Sequence, residues 1–418
     1  MKVLILILLV YFSTNTVFCK NELLFVQVVW RHGDRAPMSN YPTDSHNEST
    51  WPGGWGELTE LGMRQQFTLG KLLRQKYITS DSPFLSARYS PKEIYIRSTD
   101  VNRTMISAMS NLAGMFPAGE PGFDFPSDDR HWPTHWTPIP VHTVPVDEDH
   151  VGNIFAPCPR AVELDEFIQN SKEFKEISSK NHDFFHFASL KTGKEYNLNN
   201  IYELNDINYI EVSRFKIAKS IYNLSQPEWM SPEFILQLRN VTRKGNEFVY
   251  GISKPYVPEM IKLRGGSILK AIAENMQFKL SCMNRTNDSD CTWMSKLKYY
   301  AYSAHDTTVA ALLTTFGDEQ RVIRGGLPHY TASIAIELWN VDGIGPAVKI
   351  LFHSAFHHKY HVITDLTKGC PMTGDFCPLE MFLKRSKKFM PNDIQKDCLP
   401  KRKNSTKSQL NLWYHRKN

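Results

Sequence analysis

Arginine and histidine side chains concentrate at three places in the sequence, each directly after an apolar run that is typical of a buried strand. Three arginines close to two histidines need an anion among them, and guanidinium groups match the bidentate geometry of phosphate oxygens. Because the carboxyl ends of strands in an open α/β sheet form the ligand crevice, we expect these side chains to meet in one crevice. They are Arg31, His32 and Arg35 after the first run, Arg97 after the second, and His305 and Asp306 after the third.

These residue types are sufficient for phosphoryl transfer, which needs a nucleophile, positive charge around the phosphate and a proton for the leaving oxygen. The arginines around His32 should lower its pKa, so that the imidazole stays neutral and nucleophilic at acid pH. Asp306 is the candidate proton donor, and it can donate only while protonated, which also predicts an acid optimum. Gly33 is expected to let the backbone turn beside the ligand, and Asp34 to order the loop through backbone amides.

Predicted strands and the helices that follow them position the three groups. Residues 23–30 form a nearly continuous apolar run, as expected of a strand buried on both faces. Residues 57–76 carry leucines at helical spacing and predict an amphipathic helix. The other predicted strands cover residues 93–96, 298–303, 332–338 and 348–352.

Two more helices are predicted directly after the second and third strands. The later one should end at Gly317, since glycine is the commonest residue just past a helix end. In the earlier one, apolar residues at helical spacing predict a buried stripe that serves core packing. This stripe comprises Met105, Met109, Leu112 and Phe116.

The alternation of strands and helices at both ends of the chain, with helical runs between, predicts an α/β fold. We expect a mainly parallel sheet flanked by helices, with an inserted α-helical cap domain. The predicted division is a signal peptide at residues 1–19, the first part of the α/β domain at 20–145, the cap at 146–255, the second part at 256–398 and a basic tail at 399–418.

The motifs around these residues resemble those of the histidine acid phosphatase family. Residues 31–37 (RHGDRAP) are similar to the family signature RHGxRxP. Residues 96–100 (IRSTD) and 303–308 (SAHDTT) resemble the second and third family blocks, in the same order. The resemblance covers residues 23–398. Two further stretches resemble the animal prostatic and lysosomal branch, namely residues 136–146 (WTPIPVHTVPV) and 369–380.

The resemblance implies a role for each residue. His32 would be the nucleophile that forms a phosphohistidine, and Asp306 would protonate the leaving group and then help to activate water. Neither a metal nor another cofactor would be required, and the partners would be small phosphate monoesters. The family fold is phosphoglycerate-mutase-like with a helical cap, usually in a homodimer. The implied phosphate-binding residues are Arg31, Arg35, Arg97 and His305.

The first 19 residues have the features of a secretory signal peptide. Lys2 precedes an apolar run at residues 3–12 that is too short to span a bilayer, and cleavage is expected after Cys19. No later segment has the roughly 20 apolar residues of a transmembrane helix. The mature protein is therefore expected to be secreted or in the lysosomal lumen. We expect the Asn102 sequon to face protein, and the glycosylation candidates are Asn47, Asn223, Asn240, Asn284, Asn287 and Asn404.

Loss of Cys19 leaves six cysteines, an even number that indicates three disulfides in an oxidising compartment. A zinc site is the weaker alternative, because the sequence has no Cys-x-x-Cys pair. Sequence alone allows many pairings. Closure of short loops favours Cys282–Cys291 and Cys370–Cys377, which leaves Cys158–Cys398.

Composition and charge exclude several classes of protein. With 41% hydrophobic and 22% charged residues in 418, the chain is neither disordered, collagen-like nor a polytopic membrane protein. The net charge of +6 comes from six cations in residues 399–418, a tail expected to be disordered and solvated. Without them Lys and Arg equal Asp and Glu at 43 each. The fold therefore lacks the basic face of a nucleic-acid-binding domain.

Two alternatives to a general acid phosphatase stay open. One is the same fold with a narrower substrate, such as an inositol phosphate or a lysophospholipid, which residues of the cap would decide. The other is a secreted binding protein, toxin or allergen in which hydrolysis is incidental, although a binding module has no need of a proton donor at Asp306. Other phosphatase motifs, such as Cys-x5-Arg, do not occur in the sequence.

The remaining histidines are expected to have no part in the chemistry. His182 and His186 lie four residues apart, as two ligands of one metal could, but no third ligand is evident. A second group near a predicted strand is expected to lie on the surface. It comprises His353, His357, His358 and His361.

Overall fold

The computed structural model describes residues 21–401, apart from 134–135, 208–223, 225–226, 284, 286–287, 318–321, 323–326 and 356–357. Within these residues, eight strands form one sheet. Strands β1 to β8 are Glu22–Arg31, Ile94–Thr99, His142–Val144, Tyr299–Ala304, Ser333–Val341, Gly345–His353, His361–Val362 and Cys377–Pro378.

The sheet is parallel in one half and antiparallel in the other. Its order is β3-β2-β4-β1-β5-β6-β7, with β8 paired to β6. Strands β3, β2, β4 and β1 run parallel, whereas β5 is antiparallel to β1 and β6 to β5. The carboxyl ends of β1, β2 and β4 therefore lie on the same edge, together with the start of β5.

Strand β1 lies in the middle of the sheet because its side chains can be buried on both faces. Its last eight residues are all buried, and so are all six residues of β4 beside it. The side-chain amide of Gln27, in the middle of β1, has hydrogen-bond partners. Its Nε2 donates to the Ile272 carbonyl at 2.9 Å, and its Oε1 accepts from Asn275 at 3.0 Å. The apolar run predicted as a doubly buried strand is thus confirmed.

Helices cover both faces of the sheet. Helices α1 (Glu60–Tyr77) and α2 (Asn102–Met115) pack on one face, and α7 (Pro258–Cys282) and α9 (Asp306–Phe316) pack on the other. Residues 201–207 are also helical, and short 3-10 helices lie at Glu48–Thr50, Thr364–Leu366 and Lys387–Phe389. Helices α1 to α11 are Glu60–Tyr77, Asn102–Met115, Pro159–Gln169, Lys172–Lys180, His182–Thr192, Pro232–Val249, Pro258–Cys282, Cys291–Met294, Asp306–Phe316, Leu379–Ser386 and Ile394–Asp397.

The buried stripe predicted for α2 is wrong in part. Met109 is 55% exposed, and Met105 is only partly buried. Helix α2 instead turns small and polar residues towards α1, and the two backbones lie so close that a Cβ on Gly70 would be 2.0 Å from the Asn111 carbonyl oxygen. The spacing of large apolar residues could not predict which face of α2 packs on α1, because this close contact depends on glycine and other small residues.

Helices α3 to α6 and the helical segment at residues 201–207 enclose a hydrophobic cluster of their own, which the start of α7 also joins. This cluster includes Cys398, whose disulfide to Cys158 ties the start of α3 to the end of the described chain. All three disulfides are paired as the sequence predicts: Cys158–Cys398, Cys282–Cys291 and Cys370–Cys377.

The remaining predictions concern membrane insertion, glycosylation and the two ends of the chain. Within the described residues, no helix is long and apolar enough to cross a membrane. Asn47 and Asn240 are exposed, but so is Asn102, the first residue of α2, so the expectation that it faces protein is wrong. The signal peptide, residues 402–418 of the tail and four sequons lie outside the described residues, the sequons being Asn223, Asn284, Asn287 and Asn404.

Candidate active site

The ends of β1 and β4 bring the predicted chemical residues together. Arg31 is the last residue of β1 and pairs with Ala304, the last residue of β4. His32 follows, and its backbone N–H donates to the Ala304 carbonyl at 3.0 Å. Asp306 begins α9 directly after His305. The crevice predicted from strand order therefore forms at this edge.

His32 is buried directly after the end of β1, and one of its ring nitrogens is held by the backbone. The side chain is buried, and its Nδ1 lies 2.8 Å from the Gly33 carbonyl oxygen. Since a carbonyl only accepts, Nδ1 carries the proton and Nε2 keeps its lone pair. Burial, followed by the charges of Arg103, Arg31 and Arg35, holds the pKa of His32 well below its usual 6.5. A neutral, nucleophilic imidazole at acid pH follows from this arrangement.

The guanidinium of Arg31 is fixed by three neighbouring groups. Its Nη1 donates to the Pro328 carbonyl at 2.6 Å, and its Nη2 lies 3.2 Å from Asp306 Oδ2. The guanidinium also stacks over the Tyr330 ring, 4.1 Å from the centroid. Three sets of contacts from the loop before β5 and from α9 thus fix this planar group in one orientation, as bidentate recognition of an oxyanion requires.

Arg35 meets a carboxylate from the helical segment at residues 201–207. Its Nη1 and Nη2 donate to Asp206 Oδ2 and Oδ1 at 3.1 and 3.0 Å. Burial is the largest single effect and disfavours the charged form, but the charge and hydrogen bonds of Asp206, together with Tyr330 and Asp306, outweigh it and raise the pKa of Arg35 above its usual range. The guanidinium therefore stays charged in the buried crevice.

His305 is oriented by the end of β2. Its Nε2 lies 3.0 Å from Thr99 Oγ1, which lies 2.9 Å from the Thr104 hydroxyl. The His305 ring is 5.6 Å from the His32 ring at an interplanar angle of 74°. The two histidines thus face each other across the crevice, and the charge of His305 adds to the lowering of the pKa of His32.

Arg97, predicted to bind phosphate, is paired with another buried group instead, and its charge is not among the causes that lower the pKa of His32. It precedes the end of β2 by two residues, and its side chain forms an ion pair with the buried Asp149. Asp149 is held in turn by the Gly152 N–H at 2.8 Å. Strand β2 is longer than predicted and continues to Thr99, so Arg97 lies within the strand and not after its end.

Arg103, which sequence reasoning missed, supplies the charge that Arg97 does not. It lies in the first turn of α2, and its charge is the largest electrostatic cause of the lowered pKa of His32. Burial and Arg35 lower the pKa of Arg103 to about 10, so it remains protonated at acid pH. Its Nε is buried and makes no hydrogen bond within the part of the chain that is described. The available signal was a cation in the first turn of a helix whose N-terminus follows a strand at this edge.

Close backbone contact, rather than a turn, explains Gly33. A Cβ at this position would lie 2.2 Å from the Gly62 carbonyl oxygen in α1. Asp34, as expected, has a structural role: its Oδ2 accepts from the Thr59 hydroxyl at 2.5 Å, and Thr59 caps α1 by accepting from the Gly62 N–H. The loop that carries His32 and Arg35 is therefore clamped onto the start of α1.

Other histidines lie away from this chemistry. His353, predicted to lie on the surface, is buried at the end of β6 beside Tyr360, because β6 is an inner strand. His358 and His361 are exposed, and His357 lies outside the described residues. The His182 and His186 rings stack 6.3 Å apart. Among the described residues, no cluster of three side chains able to hold a metal ion occurs.

Comparison with known proteins gives consistent relatives. The sequence matches the histidine phosphatase superfamily (branch 2) over residues 22–353. It is 33% identical to lysosomal acid phosphatase of Rattus norvegicus over 381 residues, which cover 90% of this chain and 80% of the relative. It is 34% identical to prostatic acid phosphatase of Homo sapiens over 397 residues, which cover 94% of this chain and 92% of the relative.

Solved structures share the fold at much lower identity. The phytase from Citrobacter braakii has a TM-score of 0.63 at 14% identity and covers 92% of this chain and 100% of its own. The Hafnia alvei phytase has a TM-score of 0.59 at 16% identity, with coverage of 91% and 99%. These similarities confirm the fold class, and the acid phosphatases confirm the enzyme class predicted from sequence. The chain belongs to branch 2 of the histidine phosphatase superfamily.

Proposed function

We propose that the protein hydrolyses phosphate monoesters through a phosphohistidine formed at His32 Nε2. The observation that carries this proposal is the buried His32 imidazole, whose Nδ1 donates to the Gly33 carbonyl so that Nε2 keeps its lone pair. A neutral imidazole among fixed arginines favours nucleophilic attack on an anionic ester. The side chains that would bind the phosphate oxygens are Arg31, Arg35, Arg103 and His305, with Arg103 in the place predicted for Arg97.

The reaction proceeds in two displacements at phosphorus. His32 Nε2 forms a bond to phosphorus while the bond to the ester oxygen breaks, and protonated Asp306 gives its proton to that oxygen. Water then attacks the phosphohistidine, Asp306 takes up a proton from the water, and the N–P bond breaks to release inorganic phosphate. Asp306 ends protonated, ready for the next turnover. Its position at the start of α9, 3.2 Å from Arg31, places the carboxyl group beside the proposed phosphate-binding residues.

Hydrolysis of a chromogenic aryl phosphate between about pH 4 and 8, in the presence of a chelator, tests the proposed function. We expect an acid optimum, full activity with the chelator and loss of activity in His32→Ala. The exposed His186→Ala is the matched control and should keep wild-type activity. An inactive wild type that is correctly folded would favour the binding-protein alternative instead.

We also propose that the protein is processed in the secretory pathway and is secreted or delivered to lysosomes. The predicted signal peptide and three disulfides support this placement. Relatives named lysosomal and prostatic acid phosphatase are consistent with either destination. Expression in secretory cells, followed by N-terminal sequencing, should give a chain that begins at Lys20, with glycans at exposed sequons such as Asn47.

Two finer points remain proposals from the family resemblance. One is the homodimer, which light scattering after size exclusion would detect as twice the mass of one chain. The other is the helical cap at residues 146–255, whose own hydrophobic cluster supports its assignment as a domain. A narrower substrate, such as an inositol phosphate, is compatible with the fold shared with phytases, although that likeness concerns the fold alone.

A further inference from the structure

Asp206 places a carboxylate against one of the proposed phosphate-binding arginines. It reaches Arg35 from the helical segment at residues 201–207, and both of its oxygens accept hydrogen bonds, at 3.0 and 3.1 Å. The Asp206 side chain is only 24% exposed, and the Arg35 side chain is 9% exposed. The Asp206 charge lies beside the catalytic residues, because its partner Arg35 is on the same loop as His32; it also opposes the lowering of the pKa of Arg103. A substrate phosphate and Asp206 would therefore be anions at the same guanidinium.

The hydrogen bonds of Arg35 show how the two anions would compete. Two of its five N–H groups point to Asp206, and a third donates to the Ala36 carbonyl at 2.9 Å. At most two remain for phosphate. Bidentate binding through both terminal nitrogens would therefore require phosphate to share or displace Asp206, whereas binding through Nε and Nη2 would place both anions on one guanidinium, where they share its charge.

Arg35 does not depend on Asp206 for its position. Its backbone pairs with Leu58 ahead of α1, and the next residue, Ala36, donates to the Glu57 carbonyl at 2.9 Å. The guanidinium is buried and also bonded to Ala36. Loss of the Asp206 charge would consequently change the electrostatics of the crevice more than the placement of Arg35.

We propose that Asp206 sets the phosphate affinity of the site, by neutralising Arg35 from the cap and weakening the binding of inorganic phosphate so that the product leaves. This rests on the proposed function, because it assigns Arg35 to phosphate. Asp206 is thus a residue that tunes affinity, and it takes no part in bond making or breaking.

The test compares two isosteric variants within one helical segment. Asp206→Asn removes the charge at Arg35, whereas Glu203→Gln removes a charge that pairs with Lys194 at 2.6 Å and is equally exposed, at 25%. Inorganic phosphate is the probe, through its inhibition constant in aryl phosphate hydrolysis and its dissociation constant from calorimetry. We expect Asp206→Asn to bind phosphate about tenfold more tightly, which is the scale of one charge at a partly buried site, and Glu203→Gln to match wild type.

Two further variants keep the test decisive. Asp206→Glu restores the charge and should return phosphate affinity close to that of the wild type. Should Asp206→Asn not fold, Asp206→Ala also removes the charge and should also tighten binding. Unchanged or weaker phosphate binding in the folded neutral variants would overturn the inference. A failure of the proposed function is distinguishable, since the wild type itself would then show neither hydrolysis nor inhibition by phosphate.

Discussion

The two arginines near the end of β2 differ in what surrounds them, and this difference decides their roles. Arg103 lies beside His32 and has a buried Nε without a hydrogen bond in the described chain, whereas Arg97 neutralises the buried Asp149. We expect Arg103→Ala to lower kcat/KM by about 100- to 1000-fold, the usual effect of removing one fixed group that stabilises developing charge. Steady-state kinetics with an aryl phosphate measures this.

Arg97→Ala is the matched comparison, and its main effect should be on stability. Asp149 is 1% exposed, so loss of its partner leaves a buried charge at a cost of about 3–5 kcal/mol. Urea unfolding measures the difference. Loss of activity without loss of stability in Arg97→Ala, together with an active Arg103→Ala, would contradict the assignment.

His329 gives the protein a dependence of stability on pH. Burial, Arg31 and Arg239 lower the pKa of His329 from 6.5 to about 4. Between these values the unfolded chain takes up a proton that the folded chain does not, so stability present above pH 6.5 is lost as the pH falls, by up to about 1.4 kcal/mol per pH unit. His329→Gln should therefore lose less unfolding free energy than wild type on moving from pH 6.5 to 4.5, by about 1–3 kcal/mol.

The control variant is His182→Gln, which replaces an exposed histidine far from the loop before β5 in the sequence. Equal slopes for His329→Gln and the wild type would show that the folded protein protonates His329 as readily as the unfolded chain.

At the scale of elements, the loop that carries His32 and Arg35 packs against Gly62 of α1. A Cβ on Gly62 would lie 2.1 Å from the Asp34 carbonyl oxygen, between His32 and Arg35. Gly62→Ala should therefore displace the loop, lowering both stability, by about 1–3 kcal/mol, and kcat/KM, despite the better helix propensity of alanine.

Gly114 in α2 makes an equally close contact away from the loop, since a Cβ there would lie 2.2 Å from the Phe67 carbonyl oxygen. Gly114→Ala should cost similar stability, measured by urea unfolding, while the folded fraction keeps wild-type kcat/KM. If both variants kept full catalytic activity, the loop would not depend on its contact with α1.

The elements also show what the sequence could predict. Strands β1 and β4 were recognisable because burial on both faces demands continuous apolar runs, and each run ends directly at chemical residues. Strand β2 was harder, since it continues through the polar residues Arg97 to Thr99, whose side chains find partners only after folding. The predicted strand therefore stops three residues short of the observed end, and Arg97 is placed after the strand instead of within it.

At the scale of the whole molecule, Cys158–Cys398 closes the longest loop of the three disulfides, with a sequence separation of 240. In the chain-entropy account, a cross-link over a longer loop restricts the unfolded chain more. Replacing both cysteines by serine should cost about 2–5 kcal/mol of unfolding free energy, measured in urea.

The comparison is Cys370–Cys377, whose separation is 7 and whose replacement should cost less. Both double variants should retain activity at room temperature, because neither disulfide contacts the described catalytic residues. A larger loss from the short loop would contradict an entropic role for the long one.

Contacts between distant segments explain what the sequence could not reveal. Asp206 and Arg35 are 171 residues apart, and Tyr330 reaches Arg31 from the loop before β5. Neither has a local pattern that marks it, because its role arises only when the polypeptide brings these segments to one crevice. The catalytic strand ends, in contrast, carry their chemistry within a few residues of a recognisable apolar run.

The most direct test of the central claim is to trap the phosphorylated intermediate. Rapid acid-free quenching of the enzyme during turnover of a labelled phosphate ester, followed by peptide mapping, should place an acid-labile, base-stable phosphoryl group on His32. His32→Ala should incorporate none, while Asp306→Asn should accumulate more because the second displacement is slowed. A phosphoryl group on another residue, or turnover retained in His32→Ala, would contradict the account.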